Sequence, residues 1–146
     1  MIKFGLIGAI ADYAAAESMA FLFGESWYQN YEASQIEYAD GQYILGCDFD
    51  ARPSFGKGGG IGSVEYNGVL MLGIKFDAAS TFSNLDETKK QKYDIRLESL
   101  STKLAEVIVE IACANELDII NCIFRLDVNK FDENIDFVAA TVTFLQ

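Results

Sequence analysis

Asp48 and Asp50 stand two residues apart in Gln42–Asp50, a run that reads as a strand, so its alternation puts both carboxylates on one face. That spacing suits a magnesium site or acid–base work at a glycosidic bond. Most such pairs are simply the solvated face of an edge strand. Asp132, Glu133 and Asp136 form a second acidic group. There Asp132, Glu133 and Asn134 are turn residues, which tolerate turn geometry and bond their own backbone. The segment Asp127–Asp132 opens like a calcium loop, but Phe131 sits at a ligand position, no glycine fills the sixth place and Val138 stands where the closing Glu is needed. Calcium is not expected there.

The chain has no histidine, which excludes a Ser-His-Asp or Cys-His arrangement and any His-containing zinc site. Cys47, Cys113 and Cys122 are far apart, share no CxxC spacing and read as small apolar residues of a reducing compartment. Gly56-Lys57-Gly58-Gly59-Gly60-Ile61-Gly62 invites a phosphate-loop reading, because glycines expose amides and Lys57 supplies charge. The spacing rejects it: neither GxxxxGK[ST] nor GxGxxG fits, and a strand rather than a helix follows. Neither a catalytic set, a metal site nor a cofactor is legible.

Elements that would position these groups emerge from periodicity. Leu97, Leu100, Leu104, Val107, Ile108 and Ile111 recur at three and four, the stripe of a long amphipathic helix beginning near Asp86. Ile119–Val128 and Phe137–Phe144 are rich in β-branched and aromatic residues and read as strands joined by a tight acidic turn. Gln42–Asp50 and Val64–Phe76 read as a second hairpin. Phe4, Ile7, Ala11, Ala14, Ala15, Ser18, Phe21 and Leu22 predict a first helix over about Phe4–Phe23, ended by Gly24 as its C-cap. The expected fold is α+β: a mostly antiparallel four-stranded sheet, the long helix packed on one face and an additional N-terminal helix.

Between the first two strands, Ala51–Ser63 holds the only proline, Pro53, and five glycines. It reads as a flexible hairpin arm that orders against a neighbouring chain, with Phe55, Lys57, Gly58, Gly59, Gly60 and Ile61 as its interface. Trp27, Tyr28, Tyr31, Ile36, Tyr38 and Tyr43 crowd an acidic connector that suits a lid over the core or a partner surface.

With 146 residues and 51% apolar content, one domain spanning 1–146 is expected. Met1–Ala20 is interrupted by Lys3, Asp12 and Glu17, so neither a membrane span nor a signal peptide fits and synthesis in the cytoplasm is expected. The net charge is −11, and the first fifty residues hold eight acids against Lys3 alone, a surface that repels backbone phosphates. The one basic cluster, Lys89, Lys90 and Lys92, reads as a solvated helix face balanced by Asp86, Glu87 and Asp94.

The Trp27–Ser34 connector running into the strand at Tyr43, the hairpin with its loop, the Asn84–Thr88 start of the long helix and the Asn129–Val138 turn into the last strand together resemble the small tail-terminator and head-to-tail connector (neck ring) proteins of tailed bacteriophages. The resemblance is architectural and covers most of the chain. It implies a non-enzymatic structural subunit of a virion tail or neck. Such a subunit forms a homo-oligomeric ring beside neighbouring neck or tail proteins, with DNA passing through the channel unbound and no membrane involved. In such a ring, Glu25, Glu32, Glu37 and Asp40 are the acids expected to line the lumen, or to face outer solvent. Two other readings stay open: a small carboxylate-based metal- or ligand-binding module using Asp48 and the glycine loop, and a cellular ferredoxin-like domain.

Overall fold

The structure is a computed structural model that describes residues 4–24, 41–75, 97–125 and 135–146. Among these residues the order is α1 (Leu6–Ala16), β1 (Ala20–Phe23), β2 (Tyr43–Phe55), β3 (Ile61–Lys75), α2 (Glu98–Ala114), β4 (Asp118–Arg125) and β5 (Ile135–Leu145). The strands form one five-stranded sheet in the order β1-β2-β3-β5-β4. β2–β3, β3–β5 and β5–β4 are antiparallel, while β1 runs parallel to β2 and makes the sheet mixed.

Both helices cover the same face. The α2 stripe of Leu100, Leu104, Val107, Ile108 and Ile111 is buried as its spacing demands, and Leu6, Ile10 and Ala14 of α1 join it. They meet one alternate set of strand residues, Leu45 and Cys47 on β2, Val64, Tyr66, Leu70 and Leu72 on β3, and Val138, Ala140, Val142 and Phe144 on β5. On the opposite face a smaller cluster of Leu22, Ile44, Met71, Phe137 and Ala139 is buried at one end of the sheet. No helix among the described residues is long and apolar enough to cross a membrane.

Three expectations need correction. The first helix stops at Ala16, well short of Phe23: the Met19 amide donates to the Ala14 carbonyl at 2.8 Å, and Ser18 takes a left-handed φ of 56° that turns the chain. Ala20–Phe23 is then a fifth strand, docked beside Ile44–Cys47. Gly24 therefore follows a strand and caps no helix. Ala51–Ser63 is also less irregular than expected, since β2 runs on to Phe55 and β3 begins at Ile61, leaving only Gly56–Gly60 as turn. β1 reaches no further than Cys47, so Pro53 lies on a stretch of β2 whose outer edge pairs with no strand among the described residues, where a missing N–H is tolerated. The stretch of the long helix before Leu97 and the acidic turn after Arg125 lie outside the described residues.

One close approach holds β2 and β3 together. Gly68 sits opposite Phe49, and a Cβ placed there falls 2.0 Å from the Asp48 carbonyl oxygen and 2.8 Å from Phe49 Cδ1. Without that Cβ the Phe49 ring lies across the glycine towards Phe144, ring centres 5.8 Å apart.

Candidate functional site

The β2–β3 tip is built by its own ladder. β5 pairs with β3 only as far as Glu65, and Gln146 closes on the Val64 backbone with bonds of 2.9 and 3.2 Å. Beyond that, Ser54–Phe55 pairs only with Ile61–Ser63, among the described residues. A register shift between Ser54 and Phe55 brings Phe55 directly opposite Ile61, so both side chains share one face of the tip. Phe55 is 67% exposed and Ile61 36%. The Gly56 amide donates to the Gly60 carbonyl at 2.7 Å and the Gly59 amide to the Gly56 carbonyl at 3.1 Å, closing the turn. Gly58 and Gly59 have φ of 92° and 86°, values that side-chain-bearing residues rarely adopt. Phe55, Lys57, Gly58, Gly59, Gly60 and Ile61, the residues expected to form the arm's interface, are thus together at the hairpin tip, all exposed.

The other expected groups do not converge. Asp48 and Asp50 share the face away from the helices and are exposed on the part of β2 that β1 leaves uncovered. Near them Arg52 stands opposite Glu65, and Asn67 accepts a hydrogen bond from the Thr143 hydroxyl at 2.8 Å. No group of three or more Asp, Glu or Cys able to hold a metal ion occurs among the described residues. Cys47 is buried, and burial followed by the charge of Asp48 pushes its thiol up to about 12, which leaves it protonated and inert as a nucleophile. Burial also raises the half-buried Cys122, while Cys113 is exposed on α2; no disulfide links the three. Glu25, Glu32, Glu37 and Asp40 lie outside the described residues.

A cleft of ≈ 530 Å³ opens between α1 and the end of α2, lined by Gly5, Gly8, Ala9, Asp12, Tyr13, Ile111, Ala114 and Asn115. Tyr13 spans the two helices, its hydroxyl donating to the Glu110 carboxylate. Partial burial, then that bond and the neighbouring charges of Glu110, Glu17 and Glu106, hold the Tyr13 phenol well above its ordinary value. A phenol kept neutral in this way ties helices together and is no base. Besides Tyr13, Asp12, Asn115 and Ile111 the cleft offers glycines and alanines, and this lining contains no paired nucleophile and base.

A second surface was not legible in the sequence. Ile119–Val128 reads as a strand of the sheet, and its described part, β4, is one; it is the outermost strand among the described residues, and its residues are exposed on both faces, Cys122 alone being half-buried. Ile119, Ile120, Ile123 and Phe124 are 39, 59, 54 and 37% exposed. Ile-Ile-Asn-Cys-Ile-Phe does not alternate polar with apolar, a pattern that reads as a strand buried on both faces and so gives no sign of an edge.

No protein-family model matches the chain, and no curated protein does.

Proposed function

We propose that this chain is a non-enzymatic assembly subunit, and that it forms the ring of a bacteriophage tail or neck through which DNA passes between head and tail. The observation that carries the reading is the self-paired β2–β3 tip with its exposed Phe55–Ile61 pair. A protruding hairpin ending in a large apolar pair has its energetic use in a partner, because only a partner removes that surface from water. In a ring each arm reaches a different patch on the next subunit, which makes the contact heterologous and lets it close by rotation. The acidic chain, at net charge −11, suits a channel wall over which DNA slides without adhering.

The alternative of a metal- or ligand-binding module on Asp48 and Asp50 has less support, since both carboxylates are solvated and no third ligand joins them among the described residues. Replacing both Phe55 and Ile61 by Ser tests the arm. The double variant is expected to stay folded, because both side chains are exposed, and to lose its ring in native mass spectrometry. Rings that persist unchanged in the double variant would remove the arm from the assembly.

A further inference from the structure

We infer that β4 is a homotypic docking edge, on which the β4 of a second copy of this chain pairs antiparallel to join two sheets into one. Among the described residues β4 pairs with β5 on one side and nothing lies beyond it in the sheet. Among the described residues, four of the nine large exposed hydrophobics fall within its eight positions. Protected edges carry charges, a proline or an inward-pointing lysine along their length. Here charge is confined to the two ends, Asp118 and Arg125.

That placement makes the strand complementary to itself. Opposite β5, the residues from Asp118 to Arg125 fill seven successive positions, from Leu145 to Ala139, with Ile120 the extra residue of a bulge. The middle position is Cys122, opposite Val142. A two-fold axis perpendicular to the sheet must pass through such a position, because a residue and its directly opposite partner share a face. With the axis at Cys122, Asp118 meets the partner copy's arginine at 125, and Ile119 meets its phenylalanine at 124. The bulge is what sets Asp118 and Arg125 on the same face, so the opposite charges can meet. This contact is isologous and closes on itself, so it stands whether or not the arm forms rings. Where both operate, two rings join back to back.

The register also brings the two copies of Cys122 face to face. Opposing Cα atoms in an antiparallel pair lie about 4.5–5.5 Å apart, within the span of about 4.4–6.8 Å that a disulfide bridges. The test uses the full chain, its sedimentation in reducing buffer and its cross-linking by copper phenanthroline as a named thiol oxidant. The parent for this test carries Phe55→Ser and Ile61→Ser, so that the arm forms no ring; it is expected to sediment as a dimer and to give a covalent dimer that is lost in Cys122→Ser and kept in Cys113→Ser. Arg125→Asp turns two symmetry-related attractions into repulsions and is expected to weaken the dimer by roughly tenfold or more. Adding Asp118→Arg to that variant should restore both the dimer and the cross-link. Arg125 is exposed, so loss of folding is not expected, and circular dichroism checks it. A monomeric parent, a cross-link that survives Cys122→Ser, or a charge-swapped double variant no better than Arg125→Asp alone would overturn the inference.

Discussion

Gly68→Ala puts a methyl group where the backbone of β2 already lies. The added carbon meets the Asp48 carbonyl oxygen at 2.0 Å, Phe49 Cα at 2.7 Å and Phe49 Cδ1 at 2.8 Å. Two of those three atoms are backbone, so a rotamer change cannot relieve the clash and β2 must move away from β3. Forcing an extra methyl into a packed site costs typically about 1–3 kcal/mol. Displacing Phe49 from Phe144 adds the aromatic contact itself, about 0.5–1.5 kcal/mol. The expected total is about 2–4 kcal/mol, read as a lower urea midpoint at unchanged m. Gly62→Ala is the matched control on the same strand: its nearest atoms are Ser54 Oγ at 3.5 Å and Ser54 O at 3.7 Å, ordinary contacts. It should stay within about 0.5 kcal/mol of the parent. Equal midpoints for Gly68→Ala and the parent, or a larger loss at Gly62, would refute the β2–β3 packing described above.

Two further outcomes follow from the core and the helix pair. Leu104 is fully buried under the helix face, and Leu104→Ala should cost about 2–5 kcal/mol in the same titration, its cavity being walled by strands that cannot collapse freely. Tyr13→Phe should cost roughly 1 kcal/mol or less, because its bond to Glu110 is charge-assisted but exposed to solvent. The Tyr13 phenol is raised in the folded state above the ordinary value of 10.0, so its contribution is complete below about pH 10 and is lost as the pH climbs further. A stability–pH profile should therefore fall on the alkaline side, less steeply in Tyr13→Phe. Some slope should remain, since burial also raises Tyr66.

Much of the sheet and its helix cover was legible because the relevant signals are local. The three-and-four spacing from Leu100 to Ile111 needs only one buried face to be read correctly, and the alternation of Val138, Ala140, Val142 and Phe144 needs only a strand. The misreading of Ala20–Phe23 has a different origin. Four residues are too few to show a period of two, and their pairing with Ile44–Cys47 is a long-range contact that no local pattern reports. Helix-forming alanines just before them, together with Phe21 and Leu22 at helical spacing, extended the wrong element. The glycines of the arm misled in the opposite sense: flanking residues that resemble a loop in composition are held extended by cross-strand pairing. Of the exposed apolar surfaces, the hairpin tip with Phe55 and Ile61 could be placed from the sequence but the β4 edge could not, because a strand's apolar content does not reveal whether it ends up inside the sheet or at its margin.

The central claim is assembly through the arm, and the most direct measurement is native mass spectrometry of the full chain with hydrogen exchange read at Ser54–Ser63. It is best made in the Arg125→Asp background so that β4 pairing does not contribute. A closed ring is expected, in which the backbone amides around Phe55 and Ile61 exchange more slowly than in the dissociated subunit. A chain that stays monomeric at every concentration, or a ring whose arm exchanges as fast as the free subunit's, would contradict it.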